Sequence, residues 1–167
     1  MQTEFHILLR LLVAGVLGGL VGYERQWTGK RAGLRTHMLV AMGSTLFVSF
    51  TDLALIDARA LHLDETKNVS VQVHFHAPVQ AIATGIGFLG AGTIFLSGRR
   101  GHIHGLTTAA SIWIIAAVGV AVGFDRYVLA TGAAGLILIV LHVLIHLEPP
   151  KSAAESPEVA AAEPLNQ

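Results

Sequence analysis

Five stretches of this chain are each about as long and as apolar as a helix that crosses a lipid bilayer. They cover residues 5–23, 37–55, 79–96, 106–124 and 127–145. A hydrocarbon core about 30 Å thick is spanned by roughly 17–25 mostly apolar residues. No water is available there to satisfy free N–H and C=O groups, so such segments must be helical. The third, fourth and fifth stretches contain no Asp, Glu, Lys or Arg. Charged residues make up 13% of the 167 residues, about half the share usual in soluble domains. The 11 basic and 11 acidic residues cancel, which leaves no electrostatic footprint for nucleic acid. Cysteine is absent, which excludes disulfides, thiolate catalysis and thiolate metal sites. The expected fold class is all-α: a polytopic membrane helix bundle of five transmembrane helices. The alternative is four, with the first stretch peripheral. Residues 1–147 are expected to form this transmembrane domain. Pro149-Pro150 ends the last span, and the Ala-, Glu-, Pro- and Ser-rich remainder of 148–167 has little to bury and reads as a disordered cytoplasmic tail.

The polar breaks set the topology. Gly123-Phe124-Asp125-Arg126 is the whole link between the last two spans, so these form an antiparallel hairpin. Arg25, Lys30, Arg31, Arg35, Arg99, Arg100 and Lys151 fall on one side of the membrane, and Arg59, Lys67 and Arg126 on the other. Basic residues favour the cytoplasmic side. The N-terminus is therefore expected outside and the C-terminus inside, in a bacterial cell inner membrane.

Two charges lie inside spans, where each costs about 2.5–3.5 kcal/mol at the bilayer centre and less near its edges. Arg10 and Asp52 sit near the same outer end, and an interhelical ion pair is the expectation. Helices in lipid associate through close packing and hydrogen bonds. The small residues Gly15, Gly18, Gly19 and Gly22 of the first span and Gly85, Gly87, Gly90 and Gly92 of the third are expected to meet at the bundle centre. Gly85-x-Gly87-x-x-Gly90 also matches a dinucleotide fingerprint, but no strand precedes it and no acidic residue follows at the required distance. At the inner ends, Glu24, Arg25, Arg35, Thr36, His37, Thr107 and Thr108 gather as a candidate recognition surface. Within it Arg35 is expected to neutralise Glu24, and the threonines to cap N–H groups. The spacing His74-x-His76 suits a transition-metal chelate, yet a solvated loop explains it as well, and His102-x-His104 is read the same way. No catalytic residue, metal ligand or cofactor-binding residue is assigned.

Several stretches together resemble the MgtC/SapB family of bacterial inner-membrane proteins. They are Gly18-Gly19-Leu20-Val21-Gly22-Tyr23-Glu24-Arg25-Gln26, Ala32-Gly33-Leu34-Arg35-Thr36-His37, Gly85 through Ile94, and Gly105-Leu106-Thr107-Thr108-Ala109-Ala110 through Gly119. The resemblance implies a polytopic membrane domain linked to survival at low magnesium and to virulence. It also implies F-type ATP synthase as a partner in some members. Many members continue into a cytoplasmic domain where this chain has a short tail, which fits the SapB-like branch. The sequence thus points to a non-enzymatic regulatory membrane protein that binds a membrane-protein partner, with a homo-oligomer also open. The alternative is a cation transporter or channel, magnesium being the ion. His-Glu-x-x-His and Gly-x-Ser-x-Gly are both absent, so no enzyme is expected.

The absence of native cysteine gives a clean test of topology. Lys30→Cys and Lys67→Cys, made singly, should react with an impermeant maleimide from opposite sides of the membrane. Labelling from the same side contradicts the assignment.

Overall fold

The computed structural model describes residues 2–61, 76–95 and 105–147. Every regular element among them is a helix: α1 (Gln2–Trp27), α2 (Leu34–Leu61), α3 (His76–Phe95), α4 (Leu106–Gly123) and α5 (Tyr127–Leu147). The tail from residue 148, His74 and the His102-x-His104 pair lie outside the described residues. The helices run past the apolar stretches: α1 continues beyond Tyr23 to Trp27, and α2 starts at Leu34 and reaches Leu61. Four helices, α1 to α4, are long and apolar enough to cross a membrane. α5 has 21 residues, more than α3 or α4. The first helix, α1, is not peripheral: it packs along α2 and touches α4 and α5.

The chain turns between helices through glycine-like backbone. After α1, Gly29 adopts φ 67°, its N–H donates to Gln26 O and the Lys30 N–H donates to Arg25 O. This pairing closes the carbonyls of a helix end. After α4 the same pairing recurs, with Asp125 N–H to Val122 O and Arg126 N–H to Ala121 O. There Asp125 holds the left-handed position, φ 59°, which Asp tolerates better than most side chains.

The bundle is organised around α4, which touches all four other helices. Its core mixes alanines with branched side chains: Ala14, Leu17 and Val21 of α1, Ala41 of α2, Ile115, Val118 and Val122 of α4, and Ala130, Ala134 and Ile137 of α5. Other large side chains of α1 point the opposite way. Leu8, Leu12, Val16 and Leu20 are exposed at four-residue spacing, a stripe facing hydrocarbon, while glycines and alanines face inward. This inverts the soluble pattern, because lipid rewards no burial of leucine and only small residues let backbones approach.

The close approaches converge on α2. A Cβ on Gly18 would lie 2.6 Å from the His37 carbonyl oxygen, and one on Gly22 would lie 2.8 Å from Leu34 Cα. On the opposite side, a Cβ on Gly119 would overlap the Ala41 carbonyl oxygen. Beside it, the Thr45 hydroxyl lies 3.0 Å from Ala41 O and 2.8 Å from Gly119 O, so one hydroxyl bridges α2 and α4.

The glycines of α3 behave differently from the expectation that they share the bundle centre. A Cβ on Gly90 would lie 3.5 Å from Ala109 Cβ of α4, but among the described residues one on Gly85, Gly87 or Gly92 would meet nothing within 4 Å. Gly90 is the one buried residue among the described side chains of α3. An apolar groove of about 480 Å³, lined by Leu39, Gly43 and Phe47 of α2 and Pro78, Ile82 and Ile86 of α3, separates part of the two helices.

Gly119→Ala must push α2 and α4 apart and should cost about 1–3 kcal/mol, read as a lowered thermal midpoint in detergent. Gly132→Ala on α5, where nothing lies within 4 Å, should be neutral or slightly stabilising. Equal effects of the two contradict the packing described.

Candidate functional site

Polar side chains collect in two places. At the end where α1 begins, Arg10 reaches across from α1. Its Nη1 donates to Asp52 Oδ2 of α2 at 3.0 Å, and its Nε donates to Asp125 Oδ1 in the α4–α5 turn at 2.8 Å. Nη2 donates to the second Asp125 oxygen. The guanidinium thus holds Asp125 as a fork and Asp52 by one arm, the bidentate geometry that suits arginine. The Tyr127 hydroxyl adds a bond to Asp125 Oδ1 at 2.8 Å. Exposure is graded, at 15% for the Arg10 side chain, 33% for Asp52 and 52% for Asp125. Partial burial acts to raise the Asp125 carboxyl, but the hydrogen bonds from Arg10 and Tyr127 and the charges of Arg10 and His6 outweigh it. They hold it below the ordinary aspartate range.

The expected Arg10–Asp52 pairing is thus present as a contact, and Asp125 is the partner that sequence reasoning missed. A charge in a turn carries no sequence penalty and draws no notice. The usable signal was topological: the four-residue link 123–126 returns the chain to the outer end, where Arg10 and Asp52 already sit.

The second cluster lies at the other end of the bundle, where α1, α2 and α4 meet. Arg25 is 2% exposed and is the largest fully buried side chain. Its Nε and Nη2 donate to the two Glu24 oxygens at 2.5 and 2.7 Å. Neighbouring residues on a helix do not normally face each other. Arg25, rather than the expected Arg35, therefore neutralises Glu24. His37 is fully buried. Its Nδ1–H donates to Gly33 O at 2.9 Å, since a carbonyl can only accept, and its Nε2 lies 3.1 Å from Ser111 Oγ of α4. The Ser111 hydroxyl also lies 2.8 Å from Thr108 O. One hydroxyl proton serves two acceptors. A neutral ring takes it at Nε2, whereas a protonated ring donates to Ser111 and leaves that proton for Thr108 O.

The seven residues proposed as one recognition surface therefore divide. Glu24, Arg25, His37 and Thr108 turn inward, and Arg35, Thr36 and Thr107 are exposed. Neither threonine caps α4: Gly105, at φ 92°, holds the N-cap position and no side chain bonds there. Ser111 joins the inward group although nothing in its local sequence singles it out. Among the described residues no cluster of three or more His, Asp or Glu could hold a metal ion.

The description of the MgtC family matches residues 11–149 of the chain. The chain belongs to the MgtC family. YhiD of Escherichia coli K12, described as a candidate magnesium transporter, is 40% identical over 88% of this chain and 63% of its own length. Protein MgtC of Salmonella typhimurium is 36% identical over 84% of this chain and 53% of its length. Protein SrpB of Synechococcus elongatus is 42% identical over 68% of this chain and 61% of its length. The chain thus spans between about half and two thirds of the curated relatives it matches. No solved structure matches it. Its helices and its family make it a multi-pass membrane protein of a magnesium-related group. The MgtC match contains the inner cluster, Asp52 and Asp125, and begins one residue after Arg10.

Because folding lowers the Asp125 pKa, its contribution to stability is complete above the ordinary aspartate range and lost as pH falls through the lower folded value. Asp125→Asn keeps a residue that tolerates positive φ. At pH 7 it should lower stability by less than about 1 kcal/mol, given the exposure of the pair, and the gap from the unaltered protein should close in acid. Arg10→Glu should impair assembly. Adding Asp52→Arg should restore it incompletely, because Asp125 still faces a carboxylate. Thermal midpoints against pH and monodispersity in detergent read both effects.

Proposed function

We propose that this MgtC-family chain is a non-enzymatic, regulatory protein of the bacterial inner membrane, one that binds a membrane-protein partner under magnesium limitation. The observation that carries this reading is the contrast between α3 and the rest of the bundle. The intramembrane polar groups Arg10, Asp52, His37 and Thr45 are used to tie helices to one another. Among the described residues, a Cβ added at Gly85, Gly87 or Gly92 of α3 would meet nothing within 4 Å. Small residues on an uncovered membrane helix offer backbone approach to a second helix. The family resemblance makes F-type ATP synthase one such partner, and a second copy of this chain is another. The excess of Lys and Arg on one side supports a cytoplasmic α1–α2 turn and C-terminus.

The second reading, a magnesium transporter, draws support from the description of YhiD. Against it, the charges within and beside the spans that would serve an ion are already engaged, Asp52 and Asp125 both by Arg10.

Affinity capture in mild detergent, from membranes of cells grown with and without magnesium, separates the two. A defined partner should copurify when magnesium is scarce, and Gly87→Leu should abolish its recovery while leaving the stability within about 0.5 kcal/mol of the parent. Recovery of the bait alone, together with magnesium flux in proteoliposomes, would favour the transporter.

A further inference from the structure

The turn between α1 and α2 and the first turn of α2 carry three cations for which the bundle has no use. Lys30, Arg31 and Arg35 are all exposed. The ion pairs among the described residues belong to Arg10 and Arg25. From Gln26 to Thr51 the sequence has no Asp or Glu, and the nearest acid, Glu24, is occupied on both oxygens by Arg25. The segment therefore presents three positive charges that nothing within it neutralises.

Immediately before these charges stands an aromatic pair. Tyr23 and Trp27, one helical turn apart, have ring centroids 6.2 Å apart and are 59% and 81% exposed. They continue the outward stripe of Leu12, Val16 and Leu20. Along this face of α1 the surface passes from aliphatic to aromatic to cationic. That is the order of acyl chain, interface and headgroup within one leaflet.

We propose that Tyr23, Trp27, Lys30, Arg31 and Arg35 form a docking surface for anionic phospholipid headgroups of the leaflet bordering this turn. Guanidinium groups match phosphate oxygens as forks and lysine contributes a point charge. Basic residues held at an anionic leaflet surface gain from its potential, an attraction that salt weakens. An acidic protein segment would satisfy the same three charges. The aromatic pair, in line with the lipid-facing stripe, decides for lipid. The inference is independent of whether the protein regulates or transports.

Trp27 supplies the reporter. The chain has two tryptophans, and Trp113→Phe leaves Trp27 as the sole emitter. The full chain is reconstituted in phosphatidylcholine bilayers in which a fixed fraction is replaced by brominated phosphatidylglycerol or, in parallel, by brominated phosphatidylcholine. Phosphatidylglycerol should quench Trp27 with a several-fold higher relative binding constant. The preference should shrink with added salt and disappear in K30Q/R31Q/R35Q, while K30R/R31K/R35K retains it. Equal quenching by the two lipids overturns the proposal, as does a preference that the neutral triple variant keeps. Equal quenching accompanied by a polyglutamate-induced shift of Trp27 emission would assign the surface to an acidic protein segment instead. Should the triple variant not fold, the salt titration on the Trp113→Phe protein decides alone: a preference that salt leaves unchanged overturns the proposal.

Discussion

The bundle depends on how closely α2 approaches α1 on one side and α4 on the other. In water, burying leucine would drive these helices together, but in a bilayer lipid tails offer leucine the same environment. What remains is dispersion at short range and hydrogen bonding, and both require backbones in contact. Gly18 and Gly22 admit α2 along α1, and Gly119 admits it along α4. With the backbones that close, a short side chain such as Thr45 can reach a carbonyl on the next helix, and His37 can reach Ser111. The interhelical hydrogen bonds are thus a consequence of the glycines rather than an independent source of cohesion.

The charged clusters do different work at the two ends. Arg10 joins α1, α2 and the α4–α5 turn through one guanidinium, so it fixes the relative height of three elements at the outer end. Its partners are progressively more hydrated, which limits the desolvation that makes fully buried pairs costly. At the opposite end, Arg25 is spent on its own neighbour. Its burial brings charge beside His37 while the Glu24 carboxylate balances it. Joining the helices there falls to the neutral groups of His37 and Ser111.

Much of this was legible in the sequence because a bilayer makes exceptions conspicuous. Five apolar runs give five helices, and Arg10 and Asp52 stand out because charge inside such runs is costly. Asp125 stayed hidden for the opposite reason: in a polar turn its charge looks ordinary, and only the fold shows that the turn lies against Arg10. The Glu24–Arg25 contact was invisible because adjacent helical residues diverge in an idealised helix, so a search for partners looks three or four positions away or to another span. Glycine spacing has a third kind of limit. The sequence shows that α1 and α3 each have a face able to make close contact, but not whether this chain supplies the second surface. For Gly18 and Gly22 it does, and for Gly85, Gly87 and Gly92 none is found among the described residues.

That difference has an energetic consequence for α3. Its packed glycine, Gly90, meets Ala109 at van der Waals distance, and the groove toward α2 leaves Ile82 and Ile86 without close packing. A soluble helix seated this loosely would be pressed back by the cost of exposing its apolar side chains. In lipid that cost vanishes, because Phe88 and Leu89, both exposed, are as well solvated away from the bundle as against it. Within the chain α3 is held chiefly by its packing on α4. Its outward face is solvated by acyl chains, so the only competition for that face is between lipid and whatever packs more closely on small residues.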